Sequence, residues 1–340
     1  MNAKLIKEKA MQVGYSACGI IPAQPFLEYR RALDERVKAF PHSEGYYKHL
    51  YNMVDPPKGG KSIIVCILGI NRYKIPDSLA PYIGKFYLFD DRIPFSEQYR
   101  ARVEFETYLK NDKMRILEGE VPVRWAAAKA GVGKFGRNNL TYSKEHGSYL
   151  VIHTWTVDVV LEYDMPPKDP PIAEGCSENC LACVKACPTG ALCGSLMMDR
   201  GRCIPQIAAF NKSLPDDATK EQMGLWIYGC DVCQDVCPLN LRKFTENEEY
   251  PLLHQYEEYL QPENILEMDM ETYINIINPR FWYLGEEGLW LWKCNALRAI
   301  INCGDSNYHS LIKKCLDNDD PRIREIAKWG CDKLELLKVK

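Results

Sequence analysis

Apolar residues recur at helical spacing from Ala3 to Val13, and Gly14 follows where a C-cap glycine ends a helix. Tyr15–Ile21 then reads as a buried strand. Ile63–Ile70 reads as a second, an unbroken run of Ile, Val, Cys and Leu shortly after a Pro-Pro-Lys-Gly-Gly turn. Phe95–Lys110 is charged with apolar residues at helical spacing, which predicts a helix, and Arg124–Gly131 predicts a short Ala-rich helix closed by glycine. Ser148–Leu161 alternates and is rich in β-branched residues, so it reads as a strand. Helices separating strands predict an α/β sandwich. Asp164–Gly175 holds four prolines and reads as a linker. A cysteine-rich block runs from there to about Asn240. From Glu246 to Glu287 eleven acidic residues face one arginine, which predicts a strongly acidic connector. Leu289–Leu337 then carries two or three amphipathic helices.

The segment Asp317–Leu334 resembles half of a HEAT-type helical repeat, with Pro321 near a helix start where its missing N–H is harmless. Only one or two such units fit, so they form a cap and not a free solenoid. The predicted class is therefore mixed, α+β or α/β. It has an N-terminal α/β domain over 1–163, a domain over 164–243 whose two runs of closely spaced cysteines, each closed by Cys-Pro, read as two-cluster ferredoxin-like, and an acidic connector with a helical HEAT-like cap over 244–340. A length of 340 residues agrees with two domains and an appended third. With 46% hydrophobic and 26% charged residues the chain can bury a sizeable core. A formal net charge of −3 excludes a strongly basic nucleic-acid binder by bulk charge, though not a local basic patch. No apolar run approaches the roughly 18 residues of a membrane span. The N-terminus lacks the apolar stretch of a secretory signal, so a cytoplasmic protein without membrane contact is expected.

Fifteen cysteines change the picture, because nine of them lie between Cys176 and Cys237. An odd count without an export signal argues against a disulfide framework and for metal ligands. The first run is Cys176-x3-Cys180-x2-Cys183-x3-Cys187-Pro188. The second is Cys230-x2-Cys233-x3-Cys237-Pro238, with Cys203 upstream. In two-cluster ferredoxins the first three cysteines of a C-x2-C-x2-C-x3-C-P run bind one cubane and the fourth binds the other. On that rule one 4Fe–4S cluster takes Cys176, Cys180, Cys183 and Cys237, and the second takes Cys187, Cys203, Cys230 and Cys233. The gap of three residues after Cys176, where the rule has two, requires a one-residue bulge. A pair of zinc sites is the competing reading. Cys193 reads as a bystander. Cys18 and Cys66 read as small apolar residues of the strands, and Cys294, Cys303, Cys315 and Cys331 as core of the C-terminal helices.

The order of further motifs resembles the epoxyqueuosine reductases, iron–sulfur and cobalamin enzymes of tRNA modification, and through them the reductive dehalogenases. Lys61-Ser-Ile-Ile-Val65 follows a glycine turn. Ala130-Gly-Val-Gly-Lys-Phe-Gly-Arg-Asn138 is similar to the family's Ala-Gly-Leu-Gly-Trp-Ile-Gly-Lys-Asn. Gly147-Ser-Tyr149, Cys187-Pro-Thr-Gly190, Tyr228-Gly-Cys-Asp-Val-Cys-Gln234, Cys237-Pro-Leu-Asn240 and Gly288-Leu-Trp-Leu-Trp-Lys-Cys-Asn-Ala296 complete it. The resemblance implies reduction of epoxyqueuosine to queuosine in tRNA. It also implies a cobalamin between the α/β and cluster domains, and reduced ferredoxin or flavodoxin as electron donor. Its cofactor contacts would fall on Gly131, Gly133, Gly136, Arg137, Asn138 and Gln234. The glycines would let backbone approach a large flat ring.

The chain departs from the family in three places. A family tract rich in Arg, Tyr and His is replaced by Lys85-Phe-Tyr-Leu-Phe-Asp-Asp-Arg-Ile-Pro94. The family's acidic proton donor is an Asp, whereas here the segment is Leu117-Glu-Gly-Glu-Val-Pro122. Counting back from the Ala-rich helix makes Glu118 the candidate acid, with Glu120 close by. Cations before the last helical segment give way to Tyr283-Leu-Gly-Glu-Glu287, which weakens the tRNA reading because phosphate contacts dominate RNA affinity. Lys293, Arg298, Lys313 and Lys314 remain as a modest basic face. The alternatives are a paralogous reductase of a non-RNA substrate and a ferredoxin-type carrier without cobalamin. His153 reads as a core histidine or a cobalt-side ligand.

Overall fold

The structure is a computed structural model that describes residues 2–89, 94, 96–165 and 172–337. Phe95 at the head of one expected helix, part of the Lys85–Pro94 tract and the proline-rich centre of the expected linker lie outside the described residues. The chain divides into two compact units. One comprises Met1–Lys74, Asp91–Gly201 and Val232–Glu249, and the other Ile75–Asp90, Arg202–Asp231 and Tyr250–Lys340.

The first unit is built round a three-stranded sheet. Its elements are α1 (Ala3–Gln12), β1 (Ala17–Pro22), α2 (Leu27–Ala39), β2 (Ser62–Gly69), α3 (Glu97–Asn111), α4 (Val123–Lys129) and β3 (Leu150–Val157). The strand order is β1-β2-β3, antiparallel throughout, with Cys18 opposite Cys66 and Cys66 opposite His153. All eight residues of β2 are buried, because both faces of this central strand are covered. Period-two alternation divides them. Ile64, Cys66 and Leu68 pack with Ile6 and Ala10 of α1 and Phe105 and Leu109 of α3. Ile63 and Val65 pack with Leu33 of α2 and Ala126 and Ala127 of α4. The helices thus sandwich the sheet as expected. The antiparallel pairing places this unit on the α+β side, since the excursion from β1 to β2 leaves and re-enters at one end of the sheet, Pro22 pairing with Ser62.

Local signals set these boundaries. The Asn2 side chain caps α1 by accepting from the Lys4 amide at 2.9 Å, and Gly14 ends the turn at φ +113°. Ser96 caps α3 through the Tyr99 amide at 3.1 Å.

The second unit is helical. α5 (Leu289–Cys303) is buried along most of its length and includes the fully enclosed Trp292. α6 (Pro321–Lys333) begins at Pro321 after an Asp320 cap and crosses α5 closely, since a Cβ on Gly330 would lie 2.4 Å from Ile301 Cδ1. Asn295 donates to the Ala208 carbonyl at 2.9 Å and Asn302 to those of Lys220 and Gly224 at 2.8 and 2.9 Å. These bonds explain why 202–231, expected inside a contiguous cluster domain, groups with the C-terminal helices.

Three expectations need correction. Arg298 is not on a basic face. It is buried and donates to the carbonyls of Gly224 (2.6 Å) and Trp226, and burial pushes its guanidinium down to about 9. Cys303 is exposed and not core, because it ends α5 beside the left-handed Gly304. The acidic stretch is folded and not a bare connector. Leu260, Ile265, Tyr273 and Phe281 are buried, and Glu248 and Glu249 are neutralised by Arg72 (3.1 Å) and Lys74 (2.6 Å). Glu118 is exposed on the loop between α3 and α4.

Candidate iron–sulfur site

Both cysteine runs fold the same way. Each places a short helix (Ala182–Ala186 in the first, the turn Val232–Asp235 in the second) ahead of a last cysteine that leaves the helix in extended conformation. Cys187 has φ −61°, ψ 113° and Cys237 has φ −77°, ψ 122°. The cause is the following proline, which bars the preceding residue from helix. The last cysteine of each run is therefore carried out of the helix that holds the preceding one, the backbone arrangement that exchange of ligands between two clusters uses.

Within the first unit Cys176, Cys183 and Cys237 share one neighbourhood. Burial pushes the Cys183 thiol up, nearby Cys237 and Cys176 push further, and the Val184 amide and its own amide pull back. Two donors address the sulfurs directly. The backbone N–H of Arg137 donates to Cys176 Sγ at 3.4 Å, and the buried Tyr142 hydroxyl donates to Cys237 Sγ at 3.2 Å. Burial holds the Tyr142 hydroxyl well above its usual range, with Cys237 adding to the effect, so it remains a donor. Sulfurs that receive N–H and O–H donors inside a partly buried loop fit cluster thiolates. Cys180 lies half-buried on the same loop, its amide turned onto the Ser177 carbonyl at 3.1 Å. Of the second set, Cys187 and Cys233 lie in the first unit, and Cys203 and Cys230 in the second. Among the described residues no three His, Cys, Asp or Glu side chains are grouped to hold a single metal ion. Cys193 is exposed and bonds locally to the Gly190 and Ala191 carbonyls.

The residues expected to touch cobalamin make contacts of the protein's own. A Cβ on Gly133 would lie 2.4 Å from Thr141 Cγ2, and one on Gly136 would lie 2.3 Å from the Tyr142 ring, so glycine is required there by protein packing. Gly131 caps α4 at φ +72° and faces open space. Arg137 Nε donates to the Cys176 carbonyl at 3.2 Å and Nη1 to Ser195 at 2.6 Å. Asn138 Nδ2 donates to the Tyr142 hydroxyl at 2.9 Å and, more weakly, to the Cys233 carbonyl at 3.4 Å. Gln234 Oε1 accepts from Ser148 Oγ at 2.8 Å. These residues link the Gly131–Asn138 loop to both cysteine runs. His153 is a core histidine, its Nδ1 2.6 Å from the Tyr15 hydroxyl.

Several residues that position the runs escaped the sequence reading. Asn240 Oδ1 accepts from the Ser148 amide at 2.9 Å, its Nδ2 donates to the Gln234 carbonyl at 2.9 Å, and Tyr149 donates to Asp235 at 3.0 Å. Gly147-Ser-Tyr149 and Pro-Leu-Asn240 stood out as segments, but nothing in the chain pairs positions 92 apart.

The family described as a 4Fe-4S double cluster binding domain matches residues 176–240. The epoxyqueuosine reductase of Cyclobacterium marinum is 30% identical over 267 residues, covering 74% of this chain and 84% of the relative. The chain belongs to the epoxyqueuosine reductase family. A second such reductase, from Leadbetterella byssophila, is 31% identical over 263 residues, 73% of this chain and 84% of its own length. Solved epoxyqueuosine reductases share the fold. That of Bacillus subtilis superposes with a TM-score of 0.78 at 24% identity, covering 97% of this chain and 90% of the other. One solved with an epoxyqueuosine-modified tRNA-Tyr stem loop gives 0.76 at 24% identity, covering 97% and 89%. As a family member the chain is an oxidoreductase with a double 4Fe–4S domain. Among the described residues no helix is long and apolar enough to cross a membrane.

Proposed function

We propose that this chain reduces epoxyqueuosine to queuosine in tRNA, with two electrons and two protons releasing the epoxide oxygen as water. The observation that carries the reading is the double-cluster segment inside a chain that aligns with epoxyqueuosine reductases over most of its length. When bound, the clusters supply single electrons. Cys176, Cys180, Cys183 and Cys237 would hold one and Cys187, Cys203, Cys230 and Cys233 the other. The Arg137 amide and the Tyr142 hydroxyl bond to sulfurs of the first set and stabilise its negative charge. Asn240 and Ser148 fix the second cysteine run to the start of β3, which keeps Cys237 in reach of Tyr142. Reduced ferredoxin or flavodoxin is the proposed donor and Glu118 the proposed proton source, its exposure leaving it open to a substrate. Cobalamin is proposed on the family likeness, with Gly131, which faces open space, among the residues proposed to meet it. The three-domain division at 163 and 243, the HEAT-like character of α5 and α6 and a cytoplasmic location belong to the same reading.

One observation favours a second reading, a paralogue with a non-RNA substrate. Glu286 and Glu287 are exposed where the family has cations, and Arg298 is withdrawn into the core. One experiment separates the two. Anaerobically reconstituted protein is given a low-potential donor, cobalamin and epoxyqueuosine-containing tRNA, and the released nucleosides are weighed. Conversion to queuosine supports the first reading. No conversion by fully loaded protein, with RNA affinity independent of salt, overturns it.

A further inference from the structure

Asn138 stands four residues before Tyr142 on a tight hairpin in which Lys134 pairs with Tyr142 and Phe135 with Thr141. The turn closes on its own backbone. The Gly136 amide donates to the Leu140 carbonyl at 2.8 Å, and the Asn139 amide donates to the Gly136 carbonyl at 3.0 Å. Glycine at 136 lets the Asn138 side chain fold back toward the Tyr142 ring. A Cβ there would meet that ring and would lie 2.6 Å from Asn138 Oδ1. The Leu140 amide donates to Asn138 Oδ1 at 3.2 Å. That bond assigns the oxygen of the side-chain amide and turns Nδ2 toward the phenol.

The direction of the next bond follows from counting donors. Asn138 and Tyr142 are each only 4% exposed. An amide nitrogen can donate and cannot accept, and Asn138 Nδ2 lies 2.9 Å from the Tyr142 hydroxyl. The phenol oxygen is therefore the acceptor on that side. Its single proton is left for its other partner, Cys237 Sγ, at 3.2 Å. Amide and phenol form a chain that ends on sulfur, and each bond polarises the next. The same Nδ2 leans toward the Cys233 carbonyl at 3.4 Å, which holds it between the hairpin and the second cysteine run. We propose that Asn138 is a positioning residue that commits the Tyr142 proton to the Cys237 sulfur and so raises the reduction potential of the cluster Cys237 holds. A donor on a ligating sulfur favours the more negative, reduced cluster. The proposal rests on Cys237 as a cluster ligand, part of the function proposed above, and is independent of the substrate.

A double-mutant cycle tests it, read as midpoint potentials of the anaerobically loaded protein by electron paramagnetic resonance, with iron counted in the same samples. In Asn138→Ala a water in the amide's place can accept as well as donate, so the phenol proton is shared between water and sulfur. An even split halves the effect of the hydroxyl. Asn138→Ala should then lower the reduction equilibrium constant of one cluster about twofold, which is ~20 mV at ~59 mV per factor of ten. It should be the cluster that Tyr142→Phe shifts. In the Tyr142→Phe background the same substitution should leave that potential where it is, because no proton remains to be aimed. If Asn138→Ala does not load, Asn138→Ser, which also lacks the amide donor, gives the same reading. No shift in the single variant, or an equal shift in both backgrounds, overturns the proposal, since a residue that only supports the loop has no coupling to the phenol. Cys237→Ala separates this failure from failure of the ligand assignment. If that variant keeps about eight irons, Cys237 is not a ligand and the assignment itself falls.

Discussion

The hydroxyl of Tyr142 offers the sharpest test of the cluster environment. Tyr142→Phe removes one O–H···S bond, 3.2 Å long, to Cys237 and keeps the buried ring. Hydrogen bonds to charged groups contribute about 1.5–3 kcal/mol in all. The bond strengthens as a cluster gains negative charge, so only part of that, about 1 kcal/mol, separates the oxidised and reduced states. With ~59 mV per factor of ten for one electron, the substitution should lower the potential of the cluster bound by Cys237 by about 40 mV. The raised pKa of Tyr142 keeps the donor protonated, so the shift should be the same from about pH 6 to 9. An anaerobic redox titration followed by electron paramagnetic resonance reads it, with iron content checked in the same samples. An unchanged or raised potential in fully loaded protein would refute the assignment of Cys237 as a ligand held by Tyr142.

Three further outcomes are expected. Gly136→Ala drives a methyl to 2.3 Å from the Tyr142 ring and should lower stability by roughly 1–3 kcal/mol, visible in urea unfolding, with faster loss of cluster absorbance. Arg298→Ala orphans the carbonyls of Gly224 and Trp226 and opens a cavity beneath α5, for a cost above about 2 kcal/mol in the same assay. The Arg322 guanidinium, 2.6 Å from Asp320, holds that carboxyl below its ordinary value. A depressed folded-state pKa contributes stability above the unfolded value of about 3.9, and that contribution disappears as pH falls through the lower folded value. Asp320→Ala should therefore cost about 1 kcal/mol near pH 7, through the lost cap and pair, and progressively less below about pH 4. A cost independent of pH would place it elsewhere.

Local pattern made much of this fold legible. The strands of the first unit, α1 with its terminal glycine, and Pro321 at the start of α6 all follow from short-range periodicity and caps, whose physics lies within a few residues. The cysteine spacing likewise laid out both runs, because proline after Cys187 and Cys237 acts on its immediate neighbour. What stayed hidden depends on contacts distant in the chain. Arg298 carries a charge and so reads as surface until the carbonyls of Gly224 and Trp226 close round it. Gly133 and Gly136 read as room for a cofactor, and what the sequence did not display is that Thr141 and Tyr142 fill the direction a side chain there would take. Tyr142, Ser148 and Asn240 carry no metal-binding signature. Only the folded chain brings a phenol to Cys237 and an amide to β3.

Metal content tests the central claim most directly. Anaerobically reconstituted protein should hold about eight irons and eight inorganic sulfides per chain, two cubanes on two cysteine runs. Alanine in place of Cys183 or Cys237 should bring the count to about four. A fully loaded wild type with four irons or fewer, or with zinc in their place, would contradict the account.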